Sequence, residues 1–123
     1  MQYIGTDIIE ISRIEKAIRR WGDRFLLRIY TNREIKLYQK HPSSLAARFA
    51  AKEAVIKALD ASNRGISLRD IEVISSPNGK PVVRLHGSAK KLAAKLGITD
   101  FAVSLSHSRD NAIAVAIAEP AGY

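Results

Sequence analysis

The sequence predicts an α+β fold: a mostly antiparallel sheet packed against one long central helix. Three observations carry that expectation. The stretch "AARFAAKEAVIKAL" at 46–59 is rich in strong helix formers, and Phe49, Ile56 and Leu59 within it fall on one stripe with the preceding Leu45 at about 100° per residue. Two β-rich runs, "IEVIS" and "VVRLH", flank "SPNGKP", whose Asn78-Gly79 pair suits a tight hairpin. The chain then closes on two alternating runs, 101–107 and 112–119, joined by "SRDN".

Taken in order, residues 2–9 read as an apolar strand with Tyr3, Ile4, Ile8 and Ile9. Residues 11, 14, 18 and 21 are apolar at helical spacing, so 11–21 is a helix that Gly22 ends. Residues 24–30 continue as a short helix or turn. "TNRE" at 31–34 has the form of a capping box and opens a short helix to about Gln39. Pro42 and serines 43 and 44 break it and cap the long helix, 44–60. Residues 61–65 are loop; 71–75 and 82–86 are the hairpin strands. Ser88 caps a helix to about Leu96, which Gly97 stops. No repeat, linker or low-complexity tract interrupts the 123 residues, so a single domain, 1–123, is expected.

The last hairpin has unequal faces. Alternation puts Phe101, Val103, Leu105 and His107 opposite Ala102, Ser104 and Ser106. It puts Ile113, Val115 and Ile117 opposite Ala112, Ala114, Ala116 and Ala118. The long helix has a small side of its own, Ala46, Ala50 and Ala54. The small faces are expected to meet and let helix and sheet approach closely. The bulky face then needs cover from another subunit or from the helix at 88–96.

Composition narrows the function classes. There is no cysteine, hence no disulfide framework, thiolate metal site or thiol nucleophile, as suits a reducing, cytoplasmic setting. No run reaches the roughly 20 apolar residues of a membrane span, and a secretory signal is not expected at the N-terminus. Twenty Lys and Arg against twelve Asp and Glu give +8, so an acidic partner is expected. Arg13, Lys16, Arg19, Arg20 and Arg24 crowd the first helix and its end, a solvated face or a docking surface.

Two carboxylates stand out. Asp7 ends an apolar strand, where it is a surface acid or a helix N-cap; Glu53 borders the apolar helical stripe, where it pairs with Lys57 at i+4 or faces a ligand. Together they suit a hard cation such as Mg²⁺, whose shell waters and substrate phosphates complete. Arg48, Lys52 and Lys57 share that helix and suit phosphate charge. Lys52 lies inside the apolar stripe, reaching a ligand phosphate or snorkelling to solvent or to an acid on a neighbouring subunit. The turn at 76–81 is a plain hairpin or a close approach to a phosphate or base. His107, between Ser106 and Ser108, is a structural histidine, a phosphate donor or an acid/base group. His41 and His86 have no such setting.

"GTDIIEISRI" at 5–14 and "RFAAKEAVIKAL" at 48–59 resemble the two signature motifs of phosphopantetheinyl transferases, and "NGKP" at 78–81 and "VSLSHS" at 103–108 resemble further elements of that family in the right order. Length and starting point are similar to its small bacterial type. The resemblance implies the phosphopantetheinyl transferase fold and transfer of the 4′-phosphopantetheine arm of coenzyme A to a serine of an acidic apo acyl carrier protein. By motif, Asp7 and Glu53 hold Mg²⁺ at the pyrophosphate, with Glu53 as candidate base, and Lys57 neutralises transferred and leaving phosphates. Arg48 and Lys52 sit near the adenosine phosphates or the neighbouring backbone; Asn78, Gly79, Lys80 and Pro81 line the adenine end; Ser106 and His107 contact phosphate. The longer family members carry an acid two residues after the aspartate; Ile9 stands there in this chain, and water takes that ligand's place. The resemblance also implies a homotrimer with its active sites between subunits. Arg13, Arg20 and Arg24 are expected to steer the carrier protein. A basic nucleic-acid-binding domain accounts for +8 but not for Asp7 with Glu53, and the aromatics, 7%, read mostly as core. An inactive homologue of the same fold is the third reading.

Overall fold

The computed structural model describes residues 3–61 and 65–120. The first strand, β1 (Tyr3–Glu10), leads directly into α1 (Ile11–Trp21), followed by α2 (Asp23–Ile29), α3 (Asn32–Tyr38) and the long α4 (Pro42–Ala58). A 3₁₀ turn, Leu68–Asp70, enters β2 (Ile71–Ser75), which pairs antiparallel with β3 (Pro81–Leu85). Then come α5 (Gly87–Lys95), β4 (Ala102–His107) and β5 (Asn111–Ala118). The strands form two sheets, a three-stranded one in the order β1-β5-β4 and the two-stranded β2-β3. The α+β expectation holds, with the antiparallel pairing divided between two sheets. Expected residues 62–64 of the loop lie outside the described residues.

Local chemistry explains most boundaries. Thr31 and Glu34 form the capping box, the Thr31 hydroxyl accepting from the Glu34 amide and the Glu34 carboxylate from the Thr31 amide. Pro42 occupies the first turn of α4 instead of ending the preceding segment, because its fixed φ suits that position and its missing N–H has no helical partner to lose. The serines are therefore inside α4, and His41 precedes it without a side-chain cap. Helix α5 is likewise capped from afar: the Asp70 carboxylate accepts from the amide and hydroxyl of Ser88. The hairpin loop is wider than the expected tight turn. Gly79 donates to the Ser76 carbonyl and Ser76 to the Lys80 carbonyl, with Gly79 at φ 86°.

Helix α4 is buried nearly all round, as its alanine-rich sequence allows. It packs chiefly on β1 and β5. Gly5 makes that approach possible: a Cβ there would lie 2.0 Å from the Ala54 carbonyl oxygen. Ala112, Ala114, Ala116 and Ala118 turn inward, all at 4% exposure or less. In β4 the expectation fails. The register sets Val103 opposite Ala116 and Leu105 opposite Ala114, so the bulky side of β4 shares the inner face with the small side of β5. Paired residues of antiparallel strands share a face, and the pairing offset is not encoded in either strand's own alternation. The outer face carries Ile4, Ile8, Ile113 and Ile117, exposed by 39–65%. Helix α5 does not cover it; it buries Ala89, Leu92 and Ala93 and lines a groove with β3.

Candidate active site

The seam of β1 and α4 brings three of the expected residues together. Asp7 lies two residues beyond Gly5 on the same strand face, and Glu53 and Lys57 lie one turn apart on α4, flanking Ala54. The Lys57 ammonium donates to Asp7 Oδ1 at 3.0 Å and to the Thr6 carbonyl at 3.0 Å. Glu53 is half-buried, and its carboxyl is pushed above the ordinary range by burial and then by the negative charge of Asp7, with Lys57 opposing. Asp7 and Glu53 are thus electrostatic neighbours, held close by the Gly5–Ala54 contact. Two oxygen-donor side chains that repel one another, on a partly open edge, fit a hard divalent cation. Among the described residues there is no group of three or more His, Cys, Asp or Glu that could hold a metal. Ile9, on the same strand face, is buried in the core.

Lys52 is a correction. Its side chain is 0% exposed, with its ammonium 2.7 Å from Glu34 Oε1, 3.1 Å from the Leu68 carbonyl and bonded also to the Ile71 carbonyl. An ammonium has three donors, and all three are used inside the protein. The snorkelling alternative was nearer the mark, but the acid it meets belongs to the same chain.

Arg48 is 7% exposed; its guanidinium stacks 3.9 Å over the Tyr38 ring and donates to the Ser75 hydroxyl, leaving Nε without a partner. Tyr38 accepts in turn from the Ser75 amide. Asn78 first shapes its own turn, its side-chain oxygen accepting from the Lys80 amide and the Ser76 hydroxyl. Gly79 and Lys80 are exposed and Pro81 half-buried at the tip of the second sheet, whereas Asp7 stands on the first sheet and Glu53 on α4. There Lys80 and Pro81 border a groove of ≈ 600 Å³ that runs along Phe101, Ala102 and Ile117 to the apolar sheet face. Ser106 and His107 are both exposed, on opposite faces of β4; His107 Nδ1 lies 3.3 Å from the Ser108 carbonyl oxygen and donates to it. Arg13, Arg20 and Arg24 are exposed, and the structure adds Trp21 to them. Its ring, 48% exposed, lies under Arg20 at 4.9 Å and Arg24 at 5.9 Å. The sequence placed Trp21 on the apolar side of α1; its position at the helix end, among arginines, was the signal for a surface role.

Paired carboxylates with an ammonium, on an edge of a strongly basic α+β protein, suit a metal-dependent enzyme that handles a phosphate-bearing substrate. Residues 3–117 match the 4′-phosphopantetheinyl transferase superfamily, and the chain belongs to that family. It is 53% identical over 119 residues to a holo-[acyl-carrier-protein] synthase of Dehalococcoides mccartyi, covering 97% of this chain and 99% of the relative. The crystal structure of the Helicobacter pylori holo-[acyl-carrier-protein] synthase in complex with coenzyme A is similar at a TM-score of 0.85 and 37% identity, over 94% of this chain and 99% of that one. The Neisseria meningitidis synthase is similar at a TM-score of 0.85 and 37% identity, over 97% and 99%. Among the described residues, no helix is long and apolar enough to cross a membrane.

Proposed function

We propose that this protein transfers the 4′-phosphopantetheine arm of coenzyme A to a serine hydroxyl of an apo acyl carrier protein. The serine oxygen attacks the phosphorus that bears pantetheine, the bridging P–O bond breaks, and adenosine 3′,5′-bisphosphate leaves. The observation that carries the reading is the Asp7–Glu53–Lys57 cluster at the Gly5 contact, in a chain 53% identical to a named synthase.

Asp7 and Glu53 would hold Mg²⁺ against the pyrophosphate, and the bound ion supplies charge neutralisation where the P–O bond breaks. Glu53 is the candidate acceptor of the serine proton. Lys57 leaves its contact with Asp7 to meet the transferred and leaving phosphates. Asn78, Gly79, Lys80 and Pro81 take the adenine end, and Ser106 and His107 contact phosphate. Arg48, behind Tyr38 and Ser75, acts on the nucleotide phosphates through its field and through the Ser75 hydroxyl.

The assembly is a homotrimer with its active sites between subunits. The isoleucine face of the large sheet supports this, since a monomer rarely leaves such a contiguous face open. The 600 Å³ groove beside it would open onto a neighbour's acidic pair. Arg13, Arg20 and Arg24 steer the acidic carrier protein, with Trp21 as a central apolar anchor. Residues 1–123 act as one transferase domain in the cytoplasm, serving fatty acid biosynthesis.

Incubation with coenzyme A, Mg²⁺ and a set of apo carrier proteins should add one phosphopantetheine mass to a single serine, read by intact-protein mass spectrometry. No mass gain with any carrier protein would reject the assignment.

A further inference from the structure

We propose that the buried Lys52–Glu34 pair is a positioning device that sets the angle of the β2–β3 hairpin, and hence of the turn at 78–81, against helix α4. The inference rests on the transferase reading, in which that turn meets the nucleotide end of coenzyme A.

Its footing is geometric. Lys52 is the residue before Glu53, so its attachment is rigidly tied to the acidic pair through the helix backbone. Its ammonium grips the Leu68 carbonyl before β2 and the Ile71 carbonyl at the first residue of β2. Glu34 completes the clamp: Oε1 accepts from Lys52 and the Thr31 amide, and Oε2 from the Val73 amide at 2.7 Å. Both buried charges therefore act on residues 71–73, the root of the hairpin. Thr31 extends the network by donating to Glu72 Oε2. The two sheets share no strand pairing, so nothing in the β-ladders sets their mutual angle.

Leverage makes the root matter. The turn lies roughly 12 Å out along the strands, so a tilt of about 5° at 71–73 moves it by about 1 Å. Misplacement of that size is enough to weaken a bound ligand. Apolar side chains of similar volume would hold the elements together as firmly, but without direction. The three bonds that Lys52 donates and the three that Glu34 accepts supply direction. Both side chains are 0% exposed and lie 2.7 Å apart, so each buried charge requires its partner.

The test uses Lys52→Met and the double variant Lys52→Met with Glu34→Gln, assayed well below their melting temperatures. Coenzyme A affinity is measured by calorimetry and turnover by carrier-protein mass gain. The dissociation constant and KM for coenzyme A should rise about tenfold while kcat and the KM for carrier protein stay within about twofold. A folded variant that binds coenzyme A like the wild type overturns the proposal, as does a fall in kcat alone, which signals only a lost folded fraction. Should neither variant fold, amide exchange in the wild type decides: the Val73 amide must rank with the slowest in the chain, and exchange as fast as at Gly79 overturns the pin. A wild-type enzyme that modifies no carrier protein rejects the transferase reading instead.

Discussion

Glu53 is charged in a place that disfavours its charge. Burial, and after it the neighbouring Asp7, raise its folded pKa above the unfolded value, so the folded state binds the proton more tightly. Its ionised form therefore destabilises the metal-free protein at neutral pH, and that penalty is relieved as pH falls through the raised pKa. Glu53→Gln should melt higher than the wild type at pH 7 without Mg²⁺, with the difference vanishing near about pH 4. Calorimetry across that range checks the sign. The same variant should lose about 100-fold or more in kcat and no longer gain stability from Mg²⁺. Stability and activity thus pull in opposite directions at this carboxylate.

Element packing turns on one glycine. A methyl group at Gly5 would meet the Ala54 carbonyl at 2.0 Å and the Ala58 amide at 2.7 Å, both backbone atoms that cannot swing aside. Gly5→Ala should push β1 from α4, destabilise the protein by about 3 kcal/mol and separate Asp7 from Glu53. Denaturant unfolding gives the first effect; weakened Mg²⁺ binding in the surviving folded fraction gives the second. Helix α5 offers a milder contrast. Asp70→Ala removes its cap and should cost about 1 kcal/mol, with coenzyme A turnover little changed.

At the scale of the whole molecule, the isoleucine face and the basic helix make separate demands. Ile8 and Ile113 are paired neighbours on the open face, exposed by 65% and 42%. If the proposed trimer forms through this face, Ile8→Glu should yield monomers, read by sedimentation, and abolish activity with it, because the acidic pair would then lack the neighbour's turn at 78–81. Docking of the acidic carrier protein should weaken with salt, raising its KM, while Trp21→Ala should raise that KM at every salt concentration. In the proposed docking, the +8 charge would set the long-range attraction and Trp21 the short-range fit.

The α+β class, the element order, the capping box and the acid-bearing motifs were legible in the sequence because each depends on neighbours within a turn or a strand. Glu34 shows the limit: its capping bond was readable from "TNRE", but its burial against Lys52 and Val73 was not. The same holds for the Asp70 cap of α5 and for the register that set Val103 beside Ala116. Local periodicity determines which residues share a face. Which distant residue lies across from that face is decided only when the chain packs, since long-range pairing leaves no mark at fixed spacing. The sequence by itself therefore determined the motifs that carry Asp7, Glu53 and Lys57, and the tertiary structure decided that these three meet at one seam while Lys52 stands inside the protein on Glu34.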